Sequence, residues 1–146
     1  MQFMKPLITF LFLILAMTSF AQIKVNHIAV HVSDLKRSMV FYHNVLSLEE
    51  IEEPFKDGLH AWYDIGGGAA LHLIEAPDII KDVSKVNHLC FSIPDMAAFV
   101  ENMKSKNYPF ESWAGKKGEI TNRVDGVKQI YIRDPDGYWL EINDAY

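Results

Sequence analysis

The chain has 146 residues and a formal net charge of −5, with basic residues that are scattered rather than clustered. This distribution argues against a surface for nucleic acid or for an anionic membrane, and it favours a small molecule as the partner. Because the chain has 1 cysteine, it forms no intramolecular disulfide, so its stability must come from packing or from a bound metal.

The first 21 residues are typical of an export signal. Lys5 supplies the positive start, Leu7–Met17 the apolar segment and Thr18–Ala21 the small-residue exit. We expect cleavage after Ala21, which gives an exported protein, periplasmic or secreted, without a stable membrane span. An uncleaved membrane anchor is the alternative. Residues 22–146 are sufficient for one domain with a hydrophobic core.

Two stretches of this remainder are nearly the same. Residues 25–34 read VNHIAVHVSD, and residues 86–95 read VNHLCFSIPD. An internal repeat in a chain of this length implies two copies of one supersecondary unit. We therefore predict a first module over residues 23–80 and a second over residues 84–146.

The first module is predicted to form a strand, a helix and three further strands. Its strands are expected at 25–32, 48–53, 60–65 and 69–75, and Gly66–Gly68 turns the last pair. The helix is indicated by apolar residues at helical spacing between Leu35 and Leu46, and Ser33 or Asp34 can cap it.

The second module is predicted to follow the same course. Strands are expected at 86–93, 110–113, 127–133 and 138–143, with a helix over 96–103 that Asn107 and Pro109 stop. We interpret Asp134–Gly137 as a structural hairpin turn, residues 76–84 as a linker and residues 114–126 as a polar loop. Each module then has one sheet face under its own helix and one bare face, which gives an α+β protein.

Polar residues lie at matching positions on the two bare faces. His27 and His88 belong to the first strand of each module, and His72 and Glu141 to the fourth. Burying a carboxylate against three imidazoles without a cation costs on the order of several kcal/mol. A divalent ion of Zn, Ni, Co, Mn or Fe removes that cost, so we predict one metal ion bound by these residues. Four protein ligands on an octahedral ion leave room for a substrate that presents two adjacent oxygens.

These motifs resemble the vicinal oxygen chelate superfamily, which contains glyoxalase I, fosfomycin-resistance transferases, extradiol dioxygenases, methylmalonyl-CoA epimerase and bleomycin-binding proteins. The motifs are VNH at 25–27, LHL at 71–73, VNH at 86–88 and DPDGYWLEI at 134–142, and the resemblance covers residues 23–146. It implies a glyoxalase/dihydroxybiphenyl dioxygenase-like fold, in which two βαβββ modules form a curved mixed sheet around a central cavity. It also implies a homodimer, with each site inside one chain or shared by two. The family's metal-site positions correspond to those of His27, His72, His88 and Glu141.

The resemblance further implies a metal-dependent lyase or isomerase of the glyoxalase type, with Glu141 as the base that removes a proton next to a carbonyl. Glyoxalase I commonly has a carboxylate at the place of His72. Glutathione-binding glyoxalases tend to have an arginine at the place of His31, which argues against glutathione as the thiol cosubstrate. Two alternatives stay open. One is an Fe(II) extradiol-type dioxygenase that uses His27, His88 and Glu141; the other is a non-catalytic small-molecule-binding or resistance protein.

Further candidates for substrate contact are His31, Cys90, Arg123 and Trp139. Arg123, in the polar loop, is the candidate for holding an anionic group. Trp139 shares the face of Glu141 and can form a wall of the pocket. Cys90 is alternatively a small apolar core residue. His60 has no counterpart in the other module and is interpreted as a surface or turn residue.

Overall fold

The computed structural model describes residues 23–76 and 84–146. In these residues the order strand, helix, three strands occurs twice. The first copy consists of β1 (His27–Val32), α1 (Leu35–Leu46), β2 (Glu49–Ile51), β3 (His60–Asp64) and β4 (Ala70–Glu75); the second consists of β5 (His88–Ser92), α2 (Met96–Ser105), β6 (Thr121–Asn122), β7 (Lys128–Arg133) and β8 (Trp139–Asn143). The predicted export signal, residues 1–21, and most of the predicted linker lie outside the described residues. Within the part of the chain that is described, no helix is long and apolar enough to cross a membrane.

Each copy forms its own four-stranded mixed sheet. The strand order is β1-β4-β3-β2 in the first sheet and β5-β8-β7-β6 in the second. In both sheets the first strand pairs with the fourth in parallel, and the remaining pairs are antiparallel. This shared topology confirms the α+β class and the duplication that the sequence predicts.

One hydrophobic core lies against one face of both sheets. Val30 and Leu73 contribute to it from the first sheet, Ile130 and Leu140 from the second, and both helices add apolar residues such as Phe41. Strand alternation turns the other residues of each sheet away from this core. We call this second face the open face of each sheet.

The two copies are also joined by a buried polar contact. Asp136, in the turn between β7 and β8, accepts hydrogen bonds from the backbone N–H of Ser33 at 3.1 Å and from its hydroxyl at 2.5 Å. The Arg37 guanidinium donates to the same carboxylate at 2.8 Å. Nearby, the Tyr42 hydroxyl donates to Asp134 at 3.0 Å. The predicted hairpin turn therefore also fixes the second module to the start of α1.

One predicted strand is wrong in position. The sequence predicts a strand over 110–113, but Glu111 makes only isolated bridges there. The sixth strand of the described chain is instead Thr121–Asn122, inside the predicted polar loop. The chain folds back after Ser112, and the Gly118 N–H donates to the Phe110 carbonyl at 2.8 Å. This loop hydrogen bond uses a backbone group that a continuous strand would need.

Candidate metal centre

The open face of each sheet carries two of the predicted metal ligands. In the first sheet His72 lies beside Ala29, two residues after His27. In the second sheet Glu141 lies beside Cys90, two residues after His88. The two pairs therefore have the same relative position in their sheets. We call His27 with His72 the first half-site, and His88 with Glu141 the second half-site.

In the second half-site the imidazole faces the carboxylate directly. Nε2 of His88 lies 3.2 Å from Oε2 of Glu141, and Nδ1 of His88 lies 2.7 Å from the Lys85 carbonyl oxygen. Because a carbonyl only accepts, Nδ1 carries a proton; Nε2 then presents a lone pair to the carboxylate when the ring is neutral and donates to it when the ring is protonated. Two acceptors at this distance need a cation or a proton between them. Such an oriented imidazole is typical of a metal ligand.

Glu141 is buried and held by several donors. The Tyr131 hydroxyl donates to Oε2 at 2.5 Å, and the Asn143 amide donates to Oε1 at 3.0 Å. The Cys90 thiol lies 3.5 Å from Oε1. Burial alone would raise the pKa of Glu141, but these hydrogen bonds and the charge of His88 lower the pKa below its ordinary value. Glu141 is thus kept as a carboxylate, the form that binds a metal.

In the first half-site the two imidazole rings lie 5.9 Å apart, measured between centroids. Nδ1 of His27 is 2.8 Å from the Asn26 side-chain oxygen, which leaves Nε2 free to accept. His72 is 5% exposed and stacks on Trp62 at 4.0 Å. Its Nε2 is buried without a hydrogen-bond partner, a state that costs about 1–3 kcal/mol. Burial lowers the pKa of His72, so this ring is neutral, as a metal ligand must be.

Within the described residues, no three of the four predicted ligands offer ligand atoms that all lie within 4.8 Å of one another. Among residues 23–76 and 84–146, the one group of three His, Cys, Asp or Glu residues whose ligand atoms all lie within 4.8 Å of one another is Glu53, Asp57 and His60. The joint binding of one ion by the four predicted ligands stays a prediction.

The group of Glu53, Asp57 and His60 is a second candidate for metal binding, and it borders the first half-site. Nδ1 of His60 lies 2.9 Å from Asp57 Oδ1, and its ring lies 5.1 Å from that of His72. His60 is a half-buried residue of β3 rather than a surface or turn residue. The alternation over 60–62 could have revealed this, because it puts His60 and Trp62 on one face of the strand.

The predicted substrate residues lie on or beside the open faces. Arg123 donates to Asp125 at 2.6 Å and lies 3.7 Å from Glu141. Desolvation and the charge of Glu141 raise the pKa of Cys90 to about 12, so its thiol stays protonated. Trp139 is buried on the open face beside His88. Contact of these residues with a substrate stays a prediction, as it does for His31, which is exposed at β1.

Comparison with known proteins identifies relatives of this architecture. The family model for the Glyoxalase/Bleomycin resistance protein/Dioxygenase superfamily matches residues 24–142. Lactoylglutathione lyase of Pseudomonas aeruginosa is 26% identical, over 82% of this chain and 81% of that protein. Metallothiol transferase FosB of Staphylococcus saprophyticus is 30% identical, over 82% of this chain and 75% of that protein.

Solved structures give the same picture of the fold. The fosfomycin resistance protein FosX of Listeria monocytogenes, complexed with Mn(II) and dihydroxypropylphosphonic acid, superposes with a TM-score of 0.68 at 22% identity. The alignment covers 86% of this chain and 95% of that chain. A lactoylglutathione lyase from Agrobacterium tumefaciens superposes with a TM-score of 0.64, also at 22% identity, over 86% of this chain and 96% of that chain.

Proposed function

Because the chain belongs to the Glyoxalase/Bleomycin resistance protein/Dioxygenase superfamily, we propose that it is a metal-dependent lyase or isomerase of the glyoxalase type, acting on a small oxygenated molecule. The observation that carries the proposal is the second half-site, where Nε2 of His88 faces a buried carboxylate oxygen of Glu141 3.2 Å away. The similarity to lactoylglutathione lyase supports this choice among the activities of the superfamily.

The residues of both half-sites fit a divalent metal ion. His27 and His88 each engage Nδ1 with an oxygen atom, so that both offer Nε2. His72 has a buried Nε2 without a partner, and Glu141 is held as a carboxylate. Three imidazoles and a carboxylate suit Zn, Ni, Co, Mn and Fe. When bound, such an ion polarises a carbonyl and stabilises the negative charge that follows proton removal.

The two carboxylate oxygens of Glu141 have different neighbours, and we assign them different roles. Oε2 is held tightly by Tyr131 at 2.5 Å and faces His88, so we assign it to metal binding. Oε1 accepts a hydrogen bond from the Asn143 amide at 3.0 Å, faces Cys90 and lies 3.7 Å from Arg123, on the side of the predicted substrate residues. We assign Oε1 to removing the proton next to the substrate carbonyl and returning it to the neighbouring carbon.

We propose that the complete site forms between two chains, from the first half-site of one and the second half-site of its partner. Two observations support this arrangement. No three of the four ligand atoms lie within 4.8 Å of one another in the described part of one chain, and both half-sites lie on faces that take no part in the core. In addition, Val25 and Val86, just before β1 and β5, are 64% and 75% exposed, and pairing would cover such apolar residues.

We also propose that the protein acts outside the cytoplasm, because Met1–Ala21 has the pattern of an export signal. Glutathione is a cytosolic thiol, so an exported enzyme would use another thiol or none.

The function is tested by loading the metal-free protein with Zn, Ni, Co, Mn or Fe(II) and following 2-oxoaldehyde loss with a panel of thiols. We expect turnover with at least one metal. Glu141→Gln preserves the shape of the side chain and should lower kcat by about 10²–10⁴-fold, the usual contribution of a general base. Glu119→Gln, at an exposed loop carboxylate, is the matched control. Full activity in Glu141→Gln would refute the assignment.

The same preparations separate the alternative functions. Oxygen uptake with catechols by the iron-loaded protein, unaffected by His72→Ala, would indicate an extradiol-type dioxygenase. Substrate depletion that stays stoichiometric with the protein under every metal would indicate a binding protein.

The shared site is tested by complementation. His27→Ala and Glu141→Gln are each expected to inactivate a homodimer. Mixing the two variants under conditions of subunit exchange produces heterodimers in which one site keeps both wild-type half-sites. Recovery of activity is expected. If activity stays absent although light scattering and mass analysis show heterodimers, each site is built within a single chain.

A further inference from the structure

A small cavity opens beside the second half-site. It has a volume of about 190 Å³ and lies between segment 109–117 and the ends of β7 and β8. Tyr131 and Trp139 form part of its wall. Both residues also border the half-site, because Tyr131 donates to Glu141 and Trp139 lies beside His88 in the sheet. A molecule in this cavity would therefore reach toward the predicted metal ligands.

The wall of the cavity is mostly apolar. Pro109, Phe110 and Ile132 line it together with the rings of Tyr131 and Trp139. Apolar and aromatic walls hold the body of a ligand by removing its surface from water, whereas a few polar groups fix its orientation. The volume is below the usual 300 Å³ or so of a drug-sized site. The cavity thus suits a small molecule, or one end of a larger one.

The charged groups around the cavity leave an excess of positive charge. The carboxylate of Glu111 is neutralised by the Lys85 ammonium in an ion pair. Arg133 and Lys117 also line the cavity, and over the described ranges no carboxylate pairs with either side chain. Two cations that no carboxylate of the described residues pairs with therefore border an apolar cavity; both residues are exposed, so their attraction for an anion is screened by salt.

The guanidinium of Arg133 packs against an aromatic wall of the cavity. It lies over the indole of Trp139, 4.0 Å from the ring centroid. Stacking on an aromatic ring occupies the face of a guanidinium and leaves the N–H groups at its edge free. Those groups form a fork that matches two oxygens of a carboxylate or a phosphate. Arg123 differs, because two of its N–H groups already donate to Asp125.

We propose that this cavity binds a small organic anion. The acidic group, a carboxylate or a phosphate, is held by Arg133 with Lys117, and the apolar body lies against Tyr131 and Trp139. We infer that this anion is part of the substrate. This step rests on the proposed function, and it narrows the substrate class to acidic oxygenated molecules. The binding of the anion itself requires no metal.

The probes are benzoate and phenyl phosphate, with benzyl alcohol as the neutral analogue, and binding is measured by titration calorimetry on the metal-free protein. We expect one or both anions to bind more tightly than the alcohol, and more weakly as salt is added. Arg133→Met should weaken binding by about 10- to 100-fold, the effect of losing a charge-assisted hydrogen bond. Arg133→Lys should restore part of it, and Lys116→Met, at an exposed neighbouring position, should leave it unchanged.

Thermal unfolding of each variant shows whether the protein is folded, so that a loss of binding is assigned to the side chain. The proposal is overturned if neither anion binds, if benzyl alcohol binds equally well, or if folded Arg133→Met binds like the wild type. The anion-binding test and the turnover test of the proposed function can fail independently. Anion binding through Arg133 without turnover under any metal refutes the lyase or isomerase alone; turnover without anion binding refutes the anion site alone.

Discussion

Substitution of Asp136 by asparagine tests the contact that joins the two modules. The side chain of Asp136 is 0% exposed, and its carboxylate receives hydrogen bonds from Ser33 and from Arg37. Asparagine has nearly the same shape and keeps one acceptor oxygen. Asp136→Asn therefore removes the negative charge, and turns an acceptor into a donor, without opening a large cavity.

The expected loss of stability in Asp136→Asn depends on how exposed its ion-pair partner, Arg37, is. Removing one member of a fully buried ion pair costs about 3–5 kcal/mol. The Arg37 side chain, however, is 48% exposed, so its guanidinium regains water when the carboxylate is removed. We therefore expect the smaller loss typical of a hydrogen bond to a charged group, about 1.5–3 kcal/mol. For a domain of this size, that loss lowers Tm by roughly 5–12 °C.

The assay is urea unfolding of the metal-free protein at neutral pH, so that metal binding does not add to the measured stability. Asp64→Asn is the matched control, because Asp64 is exposed and likewise accepts a backbone N–H, that of Gly66, at 2.8 Å. We expect the control to change the free energy of unfolding by less than about 0.5 kcal/mol. If Asp136→Asn behaves like the control, the polar contact does not stabilise the junction between the modules.

Two further predictions concern Tyr131 and Asp134. Tyr131→Phe removes the 2.5 Å hydrogen bond to Glu141 and should weaken metal binding by about 10- to 100-fold, as measured by competition with a chelating dye; an unchanged affinity would contradict the assignment of Oε2 to the metal. Burial raises the pKa of Asp134 in the folded protein, although hydrogen bonds from Tyr138, Tyr42 and Asp136 partly offset this rise. A carboxyl with a raised folded pKa contributes stability below its unfolded pKa of about 3.9 and loses that contribution as pH rises through the folded value. The stability of Asp134→Asn relative to the wild type should thus increase from pH 3.5 to pH 7 in urea unfolding, and a difference that does not change with pH would contradict the raised pKa.

The fold could be predicted because its determinants are local and occur twice. Alternation along residues 25–32 and 86–93 gives the two first strands, and the sheet register then puts His72 and Glu141 at equivalent positions. The half-sites follow from the period of a strand and from the repeat, both of which are visible in the sequence.

The features that the sequence did not reveal depend on contacts between distant residues. Asp136 reads as a turn residue, and its bonds to Ser33 span 103 positions. The strand Thr121–Asn122 is short and polar, and it exists because β7 offers it a partner edge. In the sequence Arg133 cannot be told from any exposed arginine, because its packing over Trp139 is visible only in the structure. No local pattern encodes such neighbours.

Binding of one divalent metal ion by both half-sites is tested by an anomalous difference map from crystals of the metal-loaded protein. We expect a peak about 2.0–2.2 Å from Nε2 of His88 and from Oε2 of Glu141, with Nε2 of the partner's His27 and of the partner's His72 at the same distance. A peak at Glu53, Asp57 and His60 with none between His88 and Glu141 would show that the metal binds elsewhere and would refute binding by the two half-sites.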